Sequence, residues 1–136
     1  MSVCIFCEII KGKFERSLVY EDDRSVAFMA LEPVHPGHVL LMPKGHYEDM
    51  FVAPQEEIAR LLPIANSIAF ALKRIYLPPK VGLVSASLVV QHAHLHITPI
   101  YSPSDITCRA ELEGTLKVAT RAELNTEAKN IREAML

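Results

Sequence analysis

The sequence predicts an α+β fold: one five-stranded, mostly antiparallel sheet, one long central helix and a C-terminal helix. Three observations carry this reading. Short apolar runs alternate with turn residues, as in a strand meander. The stretch between Pro54 and Pro78 keeps an apolar stripe at helical spacing. The last stretch opens on a helix-capping pattern. At 136 residues and 15.2 kDa the chain has the size of one domain, expected over residues 1–136. The motif-bearing core is expected over about 4–101 and a helical extension over about 119–136.

The elements follow in order. Ile5, Phe6, Ile9 and Ile10 stand at helical spacing before Gly12, which predicts one or two helical turns. Ser17–Glu21, Ser25–Leu31 and His38–Met42 read as three strands, separated by Asp22-Asp23-Arg24 and by Pro33, Pro36 and Gly37. Pro54 opens the long helix, with Glu56 and Glu57 where the helix dipole favours acids. Its stripe is Ile58, Leu61, Leu62, Ala65, Ile68, Ala69, Leu72 and Ile75. Pro63 lies inside the stripe and predicts a kink or a late start. Val81–Val84 and Val89–Ile97 read as two more strands, and the stretch from Pro99 to Cys108 as loop. Thr120-Arg121-Ala122-Glu123 is a capping box ahead of Leu124, Ala128, Ile131 and Met135, which share one face.

Composition excludes several classes. A net charge of −2 and a pI near 6.3 argue against nucleic-acid binding through a basic face. No apolar stretch approaches the roughly 18–20 residues of a membrane span, and the start carries no secretory pattern. Three cysteines, an odd number, fit a reducing cytoplasm better than a disulfide framework.

Two clusters carry chemistry. The first is Gln91-His92-Ala93-His94-Leu95-His96-Ile97-Thr98. On a strand, His92, His94 and His96 would form a row at steps of about 6.6–7 Å, with Ala93, Leu95 and Ile97 facing the core. Imidazoles in a row can donate to phosphate oxygens, and a neutral one can attack phosphorus. A transition-metal site and a solvated strand face remain alternatives. The second cluster is Cys4-Ile5-Phe6-Cys7, which reads as a redox pair, half of a zinc site, or two buried thiols. Zinc needs two further ligands, and His46 and His92 are candidates. His38 is expected to support the site by hydrogen bonding, and His35 to be solvated.

These stretches resemble the histidine triad (HIT) family. His92-Ala93-His94-Leu95-His96-Ile97-Thr98 fits its HxHxHxx signature. Cys4 to Gly12 resembles its C-x-F-C-x-I-I-x-G, and Pro36 to His46 its P-x-H-x-L-x-x-P-K-x-H. Glu21-Asp22-Asp23 before Val26-Ala27-Phe28 resembles its first hairpin.

The resemblance implies a HIT-like fold and a homodimer joined along a sheet edge and the long helix. It implies a cytoplasmic hydrolase or nucleotidyl transferase that cleaves at the α-phosphate of nucleoside phosphoramidates or dinucleoside phosphates. A purine nucleotide or nucleotide conjugate is the expected ligand. His94 would attack phosphorus and form a nucleotidyl-histidine, with His92 and His96 beside it. Ile5, Phe6, Ile9, Phe28 and Leu31 would hold the base. Cys4, Cys7, His46 and His92 would bind a structural zinc that the chemistry does not require. Several positions depart from the family: Val81 to Ser85 lacks a common asparagine, Thr98-Pro99-Ile100 lacks a common arginine, and two further departures bear on substrate contacts. Ala30 stands where an acid often binds ribose, and Val89 where a hydroxyl often contacts phosphate. Ser87 is two residues away, about 7 Å along a strand. These departures keep open an alternative, a nucleotide-binding or regulatory dimer with little catalysis.

Overall fold

The computed structural model describes residues 3–106 and 116–136, so Cys108 lies outside the described residues. Helix α1 spans Ile5–Ile10, and Cys4 caps it by accepting from the Cys7 amide. Strands β1 (Leu18–Glu21), β2 (Ser25–Met29) and β3 (Val39–Pro43) form the expected meander. Helix α2 (Gln55–Tyr76) leads to β4 (Lys80–Val84) and β5 (Leu95–Ile100), and α3 (Arg121–Ala134) follows. The sheet order is β1-β2-β3-β5-β4 with every neighbour antiparallel.

Strand alternation divides the sheet into two faces. Val19, Ala27, Met29, Val39, Leu41, Leu95 and Ile97 point one way, onto α2 and α3. There they meet Leu61, Ile68 and Leu72 of α2 and Leu124, Ala128 and Ile131 of α3, all essentially buried. Burying one Leu or Ile side chain contributes about 1.5–3 kcal/mol, so this layer supplies most of the hydrophobic driving force. Val26, Phe28, Leu40 and Met42 point the other way and pack with Phe6 of α1 into a smaller cluster. The large core lets α2 and α3 hold one face. The opposite face, covered only in part by short α1, is left for a site.

Helix α2 starts at Gln55 and continues through Pro63, so of the kink or late start expected there, the late start does not occur. Pro63 and Leu62 are exposed, so the carbonyl that loses its amide partner faces water. Leu62 thus leaves the buried stripe that the spacing predicts. Glu56 and Glu57 sit in the first turn and Lys73 and Arg74 in the last, matching the dipole at both ends. Leu77 ends the helix in the left-handed region at φ +49°, and Pro78-Pro79 prevent continuation. Thr120 caps α3 by accepting from the Glu123 amide, as the capping box predicts.

Helix α3 is also tied to the β2–β3 turn. Gly37 adopts φ +92°, and its amide donates to the Glu127 carboxylate at 2.8 Å. Burial outweighs that hydrogen bond and raises the Glu127 pKa. A carboxyl whose folded pKa is raised contributes stability present at low pH and lost as pH rises through the folded value. Glu127→Gln keeps an acceptor for Gly37 without the buried charge. Thermal unfolding will show it more stable than wild type at pH 8, with the advantage fading near pH 4.

Candidate functional site

The triad does not lie on one strand. Strand β5 begins at Leu95, so only His96 belongs to it, and Val89–His94 is irregular. This corrects the expected strand over Val89–Ile97 and the evenly spaced row. The reason is local: the Ala93 amide donates to the Tyr47 carbonyl at 2.7 Å, beyond the end of β3, and not to a ladder partner. Ala93, Leu95 and Ile97 are nonetheless buried as the alternation predicts. The loop expected from Pro99 begins later, since β5 continues to Ile100.

Each ring has a distinct setting. His94 Nδ1 lies 2.5 Å from the His92 carbonyl oxygen, which can only accept. Nδ1 therefore carries the hydrogen, and Nε2 carries the lone pair. The Ser85 hydroxyl donates to the His94 carbonyl at 2.7 Å and fixes the backbone there. The Phe6 ring meets His94 edge-on at 5.0 Å, and the His96 ring stands 4.9 Å away.

His96 is set through a relay. The Val34 amide donates to His38 Nδ1 at 3.0 Å, which leaves the His38 hydrogen on Nε2. That atom lies 2.9 Å from His96 Nδ1 and donates to it. His96 then holds its own hydrogen on Nε2. His38 is thus the supporting hydrogen-bonder expected from the sequence, and it is buried.

His92 turns elsewhere. Its Nε2 donates to the Pro43 carbonyl at 2.9 Å, so Nδ1 offers a lone pair. That lone pair meets Cys4 Sγ at 3.5 Å, Cys7 Sγ at 3.5 Å and His46 Nδ1 at 3.3 Å. Cys7 Sγ and His46 Nδ1 are 3.4 Å apart. All four donor atoms lie within 4.8 Å of one another, so these residues could hold a metal ion. Burial, then the neighbouring Cys4, pushes the Cys7 thiol up to about 11; a cation would reverse that balance. Burial likewise lowers the His92 pKa, against the hydrogen bond to Pro43, and so favours the neutral ring that a metal ligand requires.

A cavity of about 400 Å³ opens beside the histidines. Ile5, Phe6, Ile9, Phe28 and Leu31 all line it, as do His94 and His96. His92 is absent from the wall. Phe6 and Phe28 pack edge to face at 5.8 Å, while Ile5 and Leu31 remain 40% and 48% exposed. The five residues are therefore not all core; two present apolar surface to an open slot. Ala30 lies in the wall, buried, and offers no side-chain acceptor.

Sequence reasoning missed several contributors. The carbonyls of Pro43 and His92 and the amide of Val34 are backbone groups, invisible to residue type. Ser85 carries no signal beyond its hydroxyl. His35 is not the solvated residue expected: its Nε2 stands 3.0 Å from Asp105 and its ring packs edge-on to Tyr101.

The sequence pattern of the HIT domain family matches residues 11–102. A HIT-like protein of Saccharolobus solfataricus is 35% identical over 105 residues, 74% of this chain and 76% of that protein. The adenosine 5'-monophosphoramidase of Saccharomyces cerevisiae is 33% identical over 99 residues, 72% of this chain and 63% of that protein. The crystal structure of a HIT-like protein from Bartonella henselae superposes with a TM-score of 0.81. It is 28% identical, covering 97% of this chain and 96% of that one.

The hydrogen-bond assignments make a direct prediction. Nitrogen-detected NMR of the imidazoles will place the hydrogen on Nδ1 of His94 and on Nε2 of His96. In His38→Ala the His96 ring will become a tautomer mixture, while His94 keeps its Nδ1 hydrogen.

Proposed function

The chain belongs to the HIT domain family, and from that premise we propose that it hydrolyses nucleotide derivatives at the α-phosphate through a nucleotidyl-histidine. The observation that carries the proposal is the His94 tautomer. Its Nδ1 hydrogen is committed to the His92 carbonyl, and the lone pair stands on Nε2 of a ring that lines the cavity. In its neutral form an imidazole so held presents Nε2 as a nucleophile.

The base occupies the slot between Ile5, Phe6 and Ile9 on α1 and Phe28 and Leu31 on the sheet side. That places the α-phosphate toward His94 and His96. His94 Nε2 attacks phosphorus, a P–N bond forms, and the bond to the leaving group breaks. A leaving amine takes up a proton from solvent as it departs, and a leaving phosphate departs as its anion. The Nε2 hydrogen of His96 stabilises a phosphoryl oxygen as charge develops. Water then attacks the phosphorus and loses a proton to solvent, the P–N bond breaks, and a nucleoside monophosphate is released with the His94 lone pair restored. His92 acts through its backbone, by orienting the His94 ring. The name of the yeast relative, adenosine 5'-monophosphoramidase, supports a phosphoramidate as the first substrate to test.

The metal cluster fits zinc. A tetrahedral ion with bonds of about 2.3 Å to sulfur and 2.0–2.1 Å to nitrogen separates neighbouring nitrogens by about 3.3 Å. The same geometry separates sulfur from nitrogen by about 3.6 Å. The four groups stand at 3.3 Å and 3.4–3.5 Å by the same measures. Zinc held by Cys4, Cys7, His46 and His92 supplies a structural cross-link, since four protein ligands leave no open position. It ties α1 to the end of β3 and to the triad. The thiols need a reducing compartment, which favours the cytoplasm. No helix among the described residues is long and apolar enough to cross a membrane.

The proposed assembly is a homodimer. The outer edge of β4 has no strand beside it among the described residues, and Leu83 on that strand and Leu62 on α2 are half exposed. A second copy along that edge would cover both.

Ala30 favours a second reading, a nucleotide-binding dimer with little catalysis, because a ribose finds no side-chain acceptor there. AMP release from adenosine phosphoramidate separates the two. The proposal expects turnover in wild type and a loss of about 1,000-fold or more in His94→Ala, with AMP still bound. Binding without turnover in wild type would support the second reading. Metal analysis will find one zinc per chain, lost in Cys7→Ser together with several degrees of thermal stability. Wild-type turnover will need no added metal.

A further inference from the structure

Ser87 stands on the segment between β4 and β5. It is 7% exposed and lines the cavity together with His94 and His96. Its hydroxyl oxygen is shielded from water and has no hydrogen-bond partner among the described residues. Its backbone lies in the left-handed region, at φ +54°. Each feature alone is unfavourable: a buried hydroxyl without a partner forfeits its hydration, and a serine at positive φ is strained. A glycine would relieve both. Two costs at one residue of a cavity wall point to a partner that arrives with the ligand.

The neighbouring residues narrow the position. Val84 pairs with His96 across the sheet, and the Ser85 hydroxyl holds the His94 carbonyl. Ser87 follows two residues later, so its backbone is anchored close to both histidines. Leu88 and Val89 also border the cavity, but at 73% and 67% they are exposed. Of these three consecutive residues, only Ser87 is buried. Rotation about χ1 moves a serine hydroxyl between staggered positions without moving the backbone.

We propose that Ser87 donates its hydroxyl to a phosphoryl oxygen of the bound nucleotide, replacing the contact that Val89 cannot make. The proposal rests on the reading of this cavity as an α-phosphate site. Its chemistry suits the role. The wall near Ser87 carries the two histidines, and a phosphoryl oxygen gaining charge accepts further donors. The hydroxyl is a neutral donor, so it adds stabilisation without changing the charge of the site.

The test compares Ser87→Gly and Ser87→Ala with wild type. Both hydroxyl deletions are expected to lower kcat/KM for adenosine phosphoramidate by about 10- to 100-fold. Ser87→Gly is expected to raise Tm by roughly 2–5 °C, because it removes the strain and the unpaired hydroxyl. A purely structural serine would not give a variant that is more stable and less active. Binding locates the contact: AMP affinity should fall in Ser87→Gly while adenosine affinity, which needs no phosphate contact, holds. Activity within about twofold of wild type in either deletion would overturn the proposal. So would a loss that follows a fall in Tm. If wild type itself shows no turnover, the hydrolase reading fails, and the AMP and adenosine affinities alone decide the role of Ser87.

Discussion

The contact between His94 Nδ1 and the His92 carbonyl, at 2.5 Å, governs the rest of the site. A carbonyl oxygen accepts and never donates, so one tautomer of His94 satisfies it. To make that contact the chain must leave extended geometry before β5 begins. The Ala93 amide, freed from any ladder, is satisfied by Tyr47. The same contact orients the His94 ring, and with it the Nε2 lone pair, before any ligand arrives. A pure strand would have set three equivalent imidazoles on one face. The break gives three rings with three duties: His94 keeps a lone pair on Nε2, His96 a hydrogen on Nε2, and His92 a lone pair on Nδ1 directed at two sulfurs.

Packing explains why this local geometry is rigid. The sheet face toward α2 and α3 holds the large core. The face toward α1 holds a smaller cluster, of which Phe6 is part. Phe6 touches Phe28 on the sheet, His92 beside the thiols and His94 at the cavity. One aromatic ring therefore joins the cavity wall, the cluster of Cys4, Cys7, His46 and His92, and His94. Zinc held by Cys4 and Cys7 would clamp the helix that carries it. In this account the metal acts on chemistry at a distance, through the position of Phe6 and of the His92 backbone.

Much of this was legible in residue types. The meander, the long helix and the capped C-terminal helix all follow from periodicity and turn residues. Cys4, Cys7, His46 and His92 are separated by up to 88 residues in sequence, and their meeting followed only from a resemblance. The triad's exit from the strand was not legible, because Val89 and Val90 are β-branched and look like strand. What decides the matter is an amide partner at Tyr47 and a left-handed Ser87, and neither leaves a residue-type signature. His35 illustrates the same limit: its partner Asp105 lies on a turn that no local pattern connects to it. Pro63 does not delay the helix start, because a proline that faces water leaves the freed carbonyl hydrated.

The central claim is that His94 Nε2 is a nucleophile. Its most direct test is rapid mixing of wild-type protein with adenosine phosphoramidate, an alkaline denaturing quench, and mass spectrometry of the intact chain and its fragments. The account predicts a transient adduct with the mass of one adenylyl group on the peptide that contains His94, absent from His94→Ala. Full turnover with no adduct at any mixing time, or an adduct on another residue, would contradict it.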